Sequence, residues 1–114
     1  MIGIKRIYDV GSPRDGKRIL VDRLWPRGIS RDAAAIDDWI KEIAPSDSLR
    51  KWFSHDPSKW PEFKKRYKKE LETKQELVAQ LRHLARQGPV TLLYAAKDTE
   101  YNNAVVLKEV ITAG

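Results

Sequence analysis

The residues with chemistry to offer cluster where apolar runs give way to polar ones. In Arg18–Gly28, RILVDRLWPRG, the run Ile19-Leu20-Val21 turns into Asp22, Arg23, Trp25, Pro26, Arg27 and Gly28. The apolar part suits a fully buried strand. An acid, two arginines and an indole at its end exceed what a core strand needs. Arginine grips phosphate or carboxylate through a planar fork, so the stretch points to an anion. Tyr8-Asp9 follows the first apolar segment, and Lys97-Asp98 follows the run VTLLYAA. Asn102-Asn103 opens the last apolar-periodic segment, where amides and free helix N–H groups also suit an anion.

These groups meet only if the elements behind them place them at one edge. Ile2–Tyr8, Arg18–Leu24 and Val90–Ala96 read as strands. Gly11-Ser12-Pro13 and Asp15-Gly16 mark a loop between the first two. Arg31–Ala44 is predicted as one helix, because Ile36, Trp39, Ile40 and Ile43 share a face, with Ser30 or Asp32 as cap and Pro45 as stop. Ser46 is expected to cap a short turn carrying Leu49, Trp52 and Phe53.

The following helix is predicted to start at Ser58 as N-cap and to bury Trp60, Phe63, Tyr67 and Leu71. Thr73-Lys74-Gln75-Glu76 has the form of a capping box opening a helix with Leu77, Leu81 and Leu84 inward, closed by Gly88 and Pro89. Asn102 is expected to cap a last helix with Val106, Leu107, Val110 and Ile111 on its apolar side. Strands joined through helices predict a single small α/β layered domain over residues 1–114, with a mainly parallel three-to-four-stranded sheet. The loop between the first two strands is near the minimum for a parallel crossover, which leaves their pairing open.

In such a sheet the strand C-termini share one edge, where ligands bind. Tyr8, Asp9, Asp22, Arg23, Trp25, Arg27, Lys97, Asn102 and Asn103 are therefore expected to converge on a small anionic ligand, phosphate or nucleotide-like. The last of these expectations is the most specific: Arg23, Arg27 and the helix start at Asn102 hold one anion together. Against it stands a purely structural alternative, in which Asp22 and Arg23 pair with Lys97 and Asp98 to close the sheet edge, Asn102 is a plain cap and Trp25-Pro26 plugs the core.

Asp22, His55 and Asp98 are the candidates for acid–base work, though His55 has no evident nucleophile to serve. No cofactor is required by the sequence. Asp9, Asp22 and Asp98 suit magnesium only together with a phosphorylated ligand, and no histidine spacing suits zinc.

The chain has 114 residues, no cysteine and a net charge of +6. Absence of cysteine excludes disulfides and thiol catalysis and fits a reducing compartment. The N-terminal MIGIKRIYDV has no apolar signal core and no apolar run is long enough to span a membrane, so a cytoplasmic protein is expected. The positive charge favours anionic partners.

Lys64, Lys65, Lys68 and Lys69 form a basic stripe that offers weak, salt-sensitive nucleic-acid binding, or simply a solvated helix face. A third reading is a protein-interaction module using Trp52 and Trp60.

At ILVDRLWPRG, KEIAPS, LRKWFSHDP and TLLYAAKDTEYNNAVVLKE the sequence resembles the YeaO-like branch of the bacterial domain-of-unknown-function family DUF488, nearly end to end. The family often has histidine beside the asparagine of the last motif, where this chain has Tyr101 and Asn103, so a role needing an imidazole there does not carry over. The resemblance implies a compact cytoplasmic α/β protein and brings no activity with it. Whether the chain is an enzyme stays open at this level, as does its oligomeric state.

Overall fold

In the computed structural model, which describes residues 1–113, two apolar strands lie side by side at the centre of a four-stranded parallel sheet. The strands are β1 (Ile2–Arg6), β2 (Lys17–Leu20), β3 (Asp38–Trp39) and β4 (Val90–Tyr94), in the order β1-β4-β2-β3. Ile19 faces Leu92 across the central pair, and Ile4 faces Leu92 from the other side. The expected mainly parallel α/β domain is thus what forms. The open question of the first two strands resolves in favour of β4 lying between them.

Alternation along the strands divides the core in two. Ile19, Val21, Val90, Leu92 and Tyr94 belong to the larger cluster, with residues from helices α2 (Asp47–Phe53), α3 (Trp60–Leu71), α4 (Gln75–Gln87) and α5 (Asn103–Ala113). Leu20 and Leu93 face the other way, onto Ile7, Ala34, Trp25, Ile29, Ile36 and Trp39. One face is therefore covered by long helices and the other by the segment between β2 and β3.

That segment departs from the expected helix over Arg31–Ala44. Only α1 (Arg31–Ala34) forms, capped by Ser30, and Ala35 turns left-handed at φ 49°. The cause is Arg18. Its buried guanidinium takes the carbonyls of Ala34 (2.9 Å) and Ala35 (3.1 Å), which a continuing helix would offer to Asp38 and Trp39. The Asp37 carboxylate accepts the Arg18 backbone N–H at 2.8 Å, and the chain runs on as β3. Ile36 and Trp39 then pack on one side of the sheet and Ile40 and Ile43 on the other, so a helical spacing of apolar residues serves two cores.

Local signals were overridden at two other points. Asp56, not Ser58, caps the turn before α3, accepting the Ser58 N–H at 3.0 Å. The Thr73–Glu76 capping box does not form. The Thr73 hydroxyl donates back to the Glu70 carbonyl at 2.7 Å, closing α3 instead of opening α4. The cap at Asn102 does form, its side-chain oxygen accepting from the Val105 N–H at 3.1 Å.

The strands also end earlier than the apolar runs suggest, at Arg6, Leu20 and Tyr94. Beyond Leu20 one more backbone bond forms, from the Val21 N–H to the Leu93 carbonyl at 3.1 Å. The Asp22 side chain then takes the place of the ladder, its Oδ2 accepting the Ala95 N–H at 2.9 Å. No helix among the described residues is long and apolar enough to cross a membrane.

Candidate functional site

A cavity of about 280 Å³ opens at the C-terminal edge of the central strands. Its place follows from topology: β2 and β4 end side by side, and the chain leaves them in different directions. Asp22 from the end of β2 and Ala95-Ala96 from the end of β4 form the floor with Asn103 at the start of α5. Trp25, Phe53, Phe63 and Tyr101 supply aromatic walls. Phe53 stacks on Phe63 at 4.3 Å, and Trp25 meets Trp39 edge-on at 5.5 Å, so these rings are held by neighbours.

The floor is organised around Asp22. Besides the Ala95 N–H, its carboxylate accepts the Asn103 side-chain amide at 3.2 Å through Oδ1, while that amide also donates to the Val21 carbonyl at 3.0 Å. No lysine or arginine forms an ion pair with it among the described residues. Burial pushes the Asp22 carboxyl above its ordinary range, against the opposing effect of these hydrogen bonds and of the nearby His55 and Arg50 side chains.

Arg23 lines the cavity but is engaged elsewhere, donating to the carbonyls of Pro45 and Ala44, both at 3.2 Å. It ties the β2 exit to the turn before α2. Trp25 donates its indole N–H to the Ile29 carbonyl at 2.8 Å, which fixes the corner.

The rim is different. Arg50 on α2 is exposed, and its side-chain hydrogen bond, to exposed Asp47, is 3.3 Å long. His55 follows α2 through two consecutive left-handed residues, Ser54 at φ 46° and His55 at φ 57°. Ser54 closes the helix by donating its N–H to Arg50. The second left-handed residue is not needed for that closure; it turns the chain so that His55 borders the cavity.

The structure thus brings together Asp22, Arg23, Trp25, His55, Asn102 and Asn103, and it leaves five expected residues outside the lining. Arg27 is exposed, and its carbonyl accepts the Tyr8 hydroxyl at 2.7 Å. The three-point anion grip by Arg23, Arg27 and Asn102 does not assemble: Arg27 is absent from the lining, Arg23 is engaged and Asn102 caps α5. Asp9 and Lys97 are exposed, and Asp98 accepts the N–H groups of Glu100 and Tyr101, which hold its carboxyl below the usual range. Asp9, Asp22 and Asp98 do not form a magnesium cluster; no metal-sized group of acidic or histidine side chains occurs among the described residues.

On α3, Lys64 and Lys68 approach Glu109 at 2.8 and 3.5 Å, which leaves Lys65 and Lys69 as the outward part of the basic stripe. Trp60 packs against Phe63 and Tyr101, and Trp52 lies under Arg66 at 4.2 Å.

Arg50, Phe63 and Tyr101 are among the lining residues that sequence reasoning does not assign to the site. Phe63 and Tyr101 read as core and loop. Arg50 carries no local signal, because only the packing of α2 against α3 brings it to the rim.

The family model described as "Inactive DUF488-N3 subclade" matches residues 1–114. The uncharacterized protein YeaO of Escherichia coli K12 is 45% identical over 108 residues, covering 95% of this chain and 94% of its own. The uncharacterized proteins Rv3073c of Mycobacterium tuberculosis H37Rv and Mb3100c of Mycobacterium bovis are each 38% identical over 110 residues, covering 96% of this chain and 92% of their own. No solved structure matches. The chain belongs to this DUF488 subclade, as the motif resemblance implied.

Proposed function

We propose that this member of the Inactive DUF488-N3 subclade binds a small organic anion in the cavity at the C-terminal edge of its sheet, as a binding protein rather than a catalyst. The observation that carries the reading is the division of labour in the cavity: aromatic walls and a hydrogen-bonded floor, with Arg50 and His55 lightly engaged at the rim. Apolar walls with a few convergent polar groups are the usual make-up of a small-molecule site, and the volume of about 280 Å³ suits a small ligand. The subclade's description as inactive favours binding over turnover. The anion expected from the sequence is kept, with the charge contact moved from Arg23 and Arg27 to Arg50 and His55.

Thermal melting with inorganic phosphate, ribose 5-phosphate and nucleoside monophosphates tests this. A ligand of the folded state raises the melting temperature. At least one of these anions is expected to do so, with a smaller rise for Arg50→Ala. Arg50 is exposed, so its loss leaves the fold intact. No rise with any of them, or an equal rise in Arg50→Ala, removes the reading.

A further inference from the structure

We propose that Asp22 is the specificity-determining residue of this cavity and that it selects a planar heteroaromatic ring presenting two adjacent N–H donors, the guanine edge of a nucleoside monophosphate. This deepens the reading above and rests on it.

A carboxylate has about four lone-pair positions. Asp22 uses one on each oxygen, for Ala95 and Asn103. Each oxygen keeps acceptor capacity, and the residue lines the cavity. The neighbouring donors are already engaged: Arg23 with two backbone carbonyls, the Asn103 amide with Val21 and Asp22 itself. The floor therefore offers acceptors and asks a ligand for donors.

Two adjacent N–H groups in one plane match two carboxylate oxygens in the way an arginine fork does. The aromatic walls fit a flat ring. Arg50 and His55 stand at the rim, where the anionic tail of such a ligand emerges. A simple anion gains nothing from the floor, because a carboxylate repels it. A ring that lacks the second donor forgoes one of two charged hydrogen bonds, and a methyl group in its place is pressed against a carboxylate oxygen that it cannot serve.

The experiment is calorimetric titration of the wild-type protein with guanosine 5′-monophosphate, its 1-methyl derivative, adenosine 5′-monophosphate and ribose 5-phosphate. The guanine nucleotide is expected to bind at least tenfold more tightly than each of the other three. Asp22→Asn is expected to lose at least tenfold toward guanosine 5′-monophosphate and not to weaken ribose 5-phosphate, from which it removes a repelling charge. Equal affinity for the guanine nucleotide and ribose 5-phosphate overturns the role of Asp22 while the anion reading stands. Binding of the 1-methyl derivative as tight as the parent overturns it as well. No binding by any of the four removes both. If Asp22→Asn does not fold, the 1-methyl comparison on the wild type decides alone.

Discussion

Two aspartates bracket β2, and they are handled in opposite ways. Asp15, just before the strand, is buried and paired with Lys5 at 2.8 Å and Arg18 at 2.6 Å, and it accepts the Ser12 N–H at 3.1 Å. The Lys5 contact, more than any other, holds its carboxyl below the ordinary range. Asp22, just after the strand, has no ion pair, and burial pushes its carboxyl up. Around Asp15 the opposite charges are satisfied within the protein, and no ligand is needed. Around Asp22 acceptor capacity faces a cavity. The difference teaches where this fold closes its charges internally and where it keeps spare acceptor positions beside a cavity.

The comparison breaks most visibly on substitution. Asp15→Ala leaves Arg18 buried without its partner, and is expected to cost about 3–5 kcal/mol, the usual effect of removing one member of a buried pair. That is a large share of the roughly 5–15 kcal/mol that holds such a domain folded. Asp22→Asn is expected to shift stability at neutral pH by less than about 1 kcal/mol, because it relieves a buried charge while losing one acceptor. Urea denaturation of both variants checks this. Equal losses make Asp22 a structural residue like Asp15.

A smaller and sharper contrast lies in pH. The depressed Asp15 carboxyl contributes stability that is complete above the ordinary carboxylate value of about 3.9 and is lost as the pH falls through its lower folded value. The raised Asp22 carboxyl does the reverse. The folded state holds its proton more tightly, so stability declines as the pH rises from about 3.9 through the higher folded value. Denaturation profiles of wild type against Asp15→Asn and Asp22→Asn should therefore have difference curves of opposite slope. The same slope in both contradicts the contrast.

Glu109 supplies the mild extreme. It is paired with Lys64 and Lys68, but all three side chains are partly exposed. Lys64→Ala is expected to cost between zero and about 1 kcal/mol, and less in high salt, as exposed pairs do. A loss comparable to that of Asp15→Ala would show that burial is not what makes the Asp15 pairs costly to break.

How much of this could be read in advance follows from how local each signal is. The change from Ile19-Leu20-Val21 to Asp22 marks the strand end directly, and the parallel sheet places that end beside the end of Val90–Tyr94. Asn102 announces its cap because capping depends on three neighbouring residues. The loss of the helix over Arg31–Ala44 is not readable in the sequence, since the guanidinium that captures Ala34 and Ala35 comes from Arg18, on another element. Thr73 misleads for a different reason, because two local uses compete for its hydroxyl and the carbonyl of Glu70, three residues back, takes it. Arg27 looked like a ligand grip because glycine follows it, yet its side chain stays in solvent while its carbonyl takes Tyr8. The edge that carries the cavity is visible in the sequence; the side chains that line it depend on packing at a distance.

The central claim is that the cavity beside Asp22 is where a small anion binds, and amide and indole chemical shifts recorded during titration with guanosine 5′-monophosphate test it most directly. The account predicts saturable shifts at the Ala95 N–H, the Asn103 side-chain amide and the Trp25 indole N–H, with the Trp52 indole unmoved. Shifts confined to Trp52 and the Lys65–Lys69 face of α3, or no shifts at saturating nucleotide, would contradict it.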